Sequence, residues 1–168
     1  MTTLHMGIDP GGDGCIATLS GRRLISAFTL KNKTERDIFS HLDELINEEI
    51  GGGNTTIFAV IEKVQAMPRS ICGNVPMFKL GQSYGFLRAC LIALSIPFDE
   101  VRAQKWQQYM GLAKSKKKGA KVKEKTSAKK GRHKAKAQQL YPNQKITLSN
   151  VDGILIAEYC RCVRRIRK

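Results

Sequence analysis

The chain has 168 residues, enough for one domain with a real core. Its apolar fraction of 42% is that of an ordinary globular protein, but its formal charge of +15 is not, and a chain this basic is expected to seek polyanions. It holds no apolar run of about 18 residues and no apolar N-terminal signal, which predicts a soluble, cytoplasmic protein, neither secreted nor membrane-bound. The five cysteines (Cys15, Cys72, Cys90, Cys160 and Cys162) are odd in number and match no zinc spacing, so reduced packing thiols are expected.

In chain order, the apolar run Leu4 to Ile8 drives into Asp9, and Pro10-Gly11-Gly12-Asp13-Gly14 follows at once. This predicts a central strand that ends on an acid and turns sharply into a second strand, Cys15 to Leu19. Asp9 either opens a β-turn, where Asp and Pro are common, or faces a cleft from a rigid mount. The glycine-rich turn is also compatible with a phosphate cradle, as in actin-like ATPases, although the chain is short for that duplicated fold. Gly21-Arg22 reads as a tight turn and Leu24 to Leu30 as a third strand, completing an antiparallel meander. Asn32 to Thr34 supply helix-capping chemistry. Ile38, Leu42, Leu45 and Ile46 then recur at helical spacing through Glu49, with His41 on the helix surface, until Gly51-Gly52-Gly53-Asn54 stops it.

Thr55 to Ile61 is a nearly continuous β-branched and apolar run, the mark of a strand buried on both faces and paired in parallel with the first strand. It ends on Glu62. Two neighbouring strands that each end on a carboxylate would place Asp9 and Glu62 within reach of one shared metal ion; the alternative is that Glu62 pairs with Lys63 or another base. Lys63 to Lys79 reads as a loop beside this point, with Met67, Arg69 and Phe78 at least half exposed. A helix from Leu80 to Leu94 follows, with Phe86, Leu87, Cys90, Leu91 and Leu94 on one face, suited to the core or to a second subunit. Gly81-Gln82-Ser83-Tyr84-Gly85 matches the elbow of serine hydrolases, but no strand precedes it and the only later histidine, His133, lies in a lysine run. Small residues that let this helix approach the sheet are the simpler account.

Ile96 to Val101 reads as a fifth strand, and Ala103 to Leu112 as a helix carrying Lys105 and the single tryptophan, Trp106, a core residue. Lys114 to Lys136 then holds twelve Lys or Arg and one acid, Glu124. Such a stretch buries too little to offset the entropy of ordering it, which predicts a mobile basic loop at about 114–133. It would bind phosphate by counterion release without reading sequence. Helical spacing resumes from Lys134 to Tyr141. The final helix begins after Ser149, which places Asp152 at its third position in a capping box and gives it a role without any active site. Glu158, six residues on, lies on a different face. The basic end, Arg161 to Lys168, complements the helix dipole.

Taken together, Gly7-Ile8-Asp9-Pro10-Gly11, Ile61-Glu62-Lys63-Val64-Gln65-Ala66-Met67-Pro68, Gly81-x-Ser83-Tyr84-Gly85, Gln104-Lys105-Trp106 and Asp152-Gly153-Ile154-Leu155-Ile156-Ala157-Glu158-Tyr159 occur in an order that resembles RuvC-type Holliday junction resolvases of the ribonuclease H-like superfamily, in a form often carried by phages. The resemblance spans nearly the whole chain. It implies an α/β fold with a mixed five-stranded sheet, the first three strands antiparallel, flanked by helices, and one nuclease domain over residues 1–168. It implies a homodimer that cuts four-way junctions and other branched DNA by paired, metal-dependent phosphodiester hydrolysis. By this resemblance Asp9, Glu62 and Asp152 hold Mg2+, with Mn2+ able to substitute, and Lys105 and Lys134 lie near the scissile phosphate. Gln65, Arg69, Lys79, Lys116, Lys117, Lys118, Lys129, Lys130 and Arg132 are the expected DNA-binding residues. Two departures stand out: Ser149 occupies the position of a fourth acid, one helical turn before Asp152, and Gln65 stands where an aromatic residue or histidine often touches the branch point. The non-enzymatic alternative is a junction-binding protein with a degenerate metal site.

Overall fold

The structure, a computed structural model, describes residues 2–50, 55–66, 73–113 and 126–166. Five strands, β1 (Thr2–Asp9), β2 (Cys15–Ser20), β3 (Arg23–Thr29), β4 (Thr55–Glu62) and β5 (Phe98–Val101), form one sheet in the order β3-β2-β1-β4-β5. β1 to β3 are an antiparallel meander, whereas β4 pairs in parallel with β1 and β5 in parallel with β4. Helices α1 (Glu35–Ile50) and α2 (Asn74–Ala93) cover one face; α3 (Ala103–Tyr109), α4 (Thr126–Leu140) and α5 (Val151–Ile166) cover the other. This is the mixed five-stranded α/β architecture that the sequence predicts.

The pleat explains the apolar runs. Leu4, Met6 and Ile8 of β1 and Ile57, Ala59 and Ile61 of β4 pack toward α1 and α2. Phe58 and Val60 point the other way, into the core beneath α5. Both strands are therefore buried on both faces and show no polar alternation. Gly7 faces α5, and the reason for glycine is steric. A Cβ there would lie 2.0 Å from the Ala157 backbone nitrogen and 2.4 Å from the Gly153 carbonyl oxygen. Gly153 in turn lies against β2, where its Cβ would be 2.9 Å from the Cys15 carbonyl oxygen. Helix α5 thus rests backbone to backbone on the centre of the sheet.

Local signals act as read at α1, where the Thr34 amide donates to Asp37 Oδ2 (2.8 Å) and the Asp37 amide donates to Thr34 Oγ1 (3.2 Å), a reciprocal cap. Four expectations are corrected. Helix α2 begins at Asn74, not Leu80; Pro76 falls in its first turn, where a missing amide hydrogen costs nothing, so Phe78 and Lys79 are helical. Residues 126–133 are helical rather than loop: α4 is rich in Ala, Lys and Gln, good helix formers, and buries His133 and Ala137. Residues 114–125 lie outside the described residues. His41 is half buried and stacked on Phe28, ring centroids 4.1 Å apart. Gly81 and Gly85 do not serve close approach to the sheet, because a Cβ at either would meet nothing within 4 Å.

This contrast sets a stability test by urea denaturation. Gly7→Ala should lose about 3 kcal/mol or more, because backbone on both sides must move. Gly81→Ala, on an open helix face, should gain about 0.5–1 kcal/mol.

Candidate active site

Asp9 is the last residue of β1 and Glu62 the last of β4, one step beyond the parallel pair Ile8–Ile61. By the period of two, both side chains emerge on the face that carries α5. Asp152 lies in the first turn of α5, whose seat on Gly7 brings that turn over the strand ends. The sheet and one helix thus gather three carboxylates from residues 9, 62 and 152. Asp9 senses the other two: burial first, then the charges of Asp152 and Glu62, push its carboxyl from the ordinary 3.8 up to about 8. Glu62 is also raised, because burial outweighs the hydrogen bond it accepts.

That hydrogen bond comes from Trp106, whose Nε1–H donates to Glu62 Oε2 at 2.6 Å. Trp106 is fully buried, as the sequence predicts, but it is also the polar support of an acid. Asp152 has two partners, both from α4: Lys130 Nζ lies 2.6 Å from Oδ2 and His133 Nδ1 lies 2.6 Å from Oδ1. Burial alone would raise the Asp152 carboxyl; the hydrogen bonds from His133 and Lys130 outweigh it and hold the group below its ordinary value. The capping role expected for Asp152 is therefore not what occurs. The turn into α5 is closed instead by Thr147 and Asn150, each amide donating to the other's side chain, at 2.8 and 3.2 Å. Glu158 points elsewhere: it accepts from Tyr141 and from buried Arg161, which removes Arg161 from any phosphate.

The sequence places Lys130 in a basic loop as a DNA contact and gives His133 no role; in the structure both stand on α4 against Asp152. The available signal was their spacing, i and i+3 on one helix face, beside the burial-compatible Ala137 at i+7. Lys105 is exposed on α3, and Lys134 lies on α4 one turn after Lys130; neither has a described contact with the three acids. Gln65 and Lys79 are exposed, and Lys129 is partly exposed near Glu62 and Asp9. Arg132 donates to the Leu112 carbonyl oxygen. Arg69, Lys116, Lys117 and Lys118 lie outside the described residues. The elbow-like segment sits inside α2, where Ser83 Oγ accepts from the Gly11 amide at 3.3 Å, tying α2 to the turn after Asp9.

Three buried, mutually repelling carboxylates are a donor set for a hard divalent cation, which prefers oxygen ligands and relieves their repulsion. Among the described residues, however, no three acidic, histidine or cysteine side chains converge into a ready-made cage. Both Asp152 oxygens are turned to α4, Oδ2 to Lys130 and Oδ1 to His133. No helix among the described residues is long and apolar enough to cross a membrane.

The raised Asp9 carboxyl makes folding take up a proton between about pH 4 and pH 8. Its contribution to stability is therefore full in acid and is lost as pH rises through that window. In EDTA the parent should lose stability from pH 4 to pH 8 relative to Asp9→Asn, which carries no titrating group there. Thermal melts of both proteins across this range give the comparison, with Asp9→Asn ahead by at least about 1 kcal/mol at pH 8.

No family model matches the chain, and no curated protein is similar to it in sequence. Solved structures do match. Thermus thermophilus RuvC in complex with a Holliday junction substrate superposes with a TM-score of 0.60 and 13% identity, covering 99% of this chain and 96% of that one. A second Thermus thermophilus RuvC structure matches with the same TM-score and identity over 97% of its length. At this identity the likeness is one of fold: the described residues share the mixed five-stranded α/β architecture of these RuvC structures.

Proposed function

We propose that this protein is a metal-dependent, structure-selective DNA endonuclease that resolves four-way junctions and other branched DNA as a homodimer. The observation that carries the reading is the gathering of Asp9, Glu62 and Asp152 at the ends of two parallel strands and the start of α5, within a RuvC-like fold. In this reading the three acids hold Mg2+, or Mn2+ in its place. The ions would supply an activated water and stabilise the leaving 3′ oxygen. The chain's own groups do the rest. Lys130, 2.6 Å from Asp152 Oδ2, keeps that carboxylate ionised and would offer its ammonium to a phosphate bound beside it. Lys129, whose charge reaches Asp9 and Glu62, adds positive charge for the DNA backbone, with Lys105, Lys134, Gln65, Lys79 and Arg132 as further contacts. Arg69, Lys116, Lys117 and Lys118 are DNA-binding candidates on the sequence alone.

A two-fold junction calls for two sites related by a two-fold axis. Helix α2 offers the surface for it. Val75, Phe78, Gln82, Gly85, Ala89 and Ile92 are all exposed and recur at heptad spacing, and this stripe carries no charge on a chain of +15. Val75, Phe78 and Ile92 are each about two-thirds exposed. Ile92→Glu should therefore convert a dimer to a monomer in sedimentation and turn paired incisions into single nicks.

The second reading, a junction-binding protein without catalysis, is favoured by one feature: Ser149 replaces an acid while Lys130 neutralises Asp152. A labelled four-way junction and a linear duplex of the same sequence separate the two. Symmetric Mg2+-dependent nicks on the junction alone, abolished by EDTA and reduced at least about 1000-fold in Asp9→Asn, support the nuclease. Tight junction binding with no cutting in Mg2+ or Mn2+ establishes the second reading.

A further inference from the structure

Two buried rings connect the acids from behind. Trp106, on α3, donates to Glu62; His133, on α4, touches Asp152. The rings pack edge to face with centroids 5.4 Å apart and an interplanar angle of 68°. His133 is 1% exposed, and among the described residues its Nε2 has no hydrogen-bond partner. An ionised carboxylate can only accept, so Nδ1 carries the hydrogen that Asp152 receives. Leaving Nε2 dry costs about 1–3 kcal/mol, a penalty that an apolar side chain filling the same space would avoid. The imidazole therefore stands there for its Nδ1 donor and not for packing alone. The indole follows the same logic: Trp106 is fully buried, and its Nε1–H donates to Glu62 Oε2.

We propose that Trp106 and His133 are a coupled pair of positioning residues: packed on each other, they hold Glu62 and Asp152 at a set separation for the divalent ion that the site would bind. This rests on the nuclease reading for the identity of the ion. Neither ring touches substrate. Each acts through the carboxylate it supports, as outer hydrogen-bond partners of metal ligands do elsewhere, where their loss costs about 10–100-fold in metal affinity. The T-shaped contact adds what separate supports would lack. A shift of either ring moves both acids, so the two supports are energetically linked.

The test uses the full-length protein and Mg2+ alone. Trp106 is the only tryptophan, so its emission reports the Glu62 end of the site directly. The parent should give a saturable change in emission with Mg2+, absent in Asp9→Asn, and calorimetry should give the same affinity. His133→Phe, which keeps a ring and removes the donor, should bind Mg2+ about 10–100-fold more weakly. His133→Asn, which restores a donor near Nδ1, should recover most of that loss. Trp106→Phe, read by calorimetry, should weaken binding in the same range, and the double variant Trp106→Phe/His133→Phe should lose less than the product of the two. Junction binding in EDTA should be unchanged throughout, which a general loss of structure would not allow. Mg2+ affinities of both single variants within twofold of the parent overturn the inference and leave the nuclease reading intact. A parent that binds no Mg2+ overturns the nuclease reading itself. Should His133→Phe fail to fold, Trp106→Phe decides alone by the same twofold criterion.

Discussion

The close approach of α5 to the sheet is the constraint on which the rest of the molecule depends. It is possible only because Gly7 and Gly153 leave no side chain between helix and strands. Any Cβ at Gly7 would enter the backbone of α5. With the gap closed, the first turn of α5 lies over the end of β1, and an acid in that turn joins an acid at the strand end. A helix held off by even one methyl group would seat Asp152 farther from Asp9. The core and the candidate site therefore share one cause, and a substitution aimed at stability at this point would reach the site as well.

Gathering acids under a helix has an electrostatic consequence. Burial and like charge drive Asp9 toward its neutral form, and Glu62 is driven the same way. Asp152 escapes because α4 supplies a lysine and a histidine to its two oxygens. The site is thus divided into a carboxyl that resists ionisation and one held ionised. Titratable groups pushed apart by their surroundings are a recurring property of functional sites. The chain is strongly basic overall, yet the three carboxylates of the candidate site lie beneath α4, itself a basic helix.

Helix α4 does two things at once. Its outer surface is lysine-rich, as a phosphate-seeking segment requires. Its inner face carries His133 and Ala137 into the core below α5, with Lys130 at the boundary. A change in the seating of α4 would therefore alter the support of Asp152 directly. Helix α3 stands in the same relation to Glu62 through Trp106. The acids come from the sheet and α5, whereas their orientation comes from two helices that contribute no acid themselves.

The sequence by itself determined the sheet and its polarity. Leu4 to Ile8 and Thr55 to Ile61 are buried on both faces, which requires a continuous apolar pattern, and that pattern is written locally. It also pointed to Asp9 and Glu62 as the ends of two parallel strands, and the observed register, with Ile8 opposite Ile61, sets them side by side. It could not determine the role of Asp152, for which a helix cap was an equally good local account, nor the roles of Trp106, His133 and Lys130. Burial, a helical face and a basic run are each local properties, and each was read as such. The contacts that change their meaning join residues 44, 19 and 22 positions apart in the chain. Only the packing of α3, α4 and α5 on one face of the sheet brings those positions within hydrogen-bond reach.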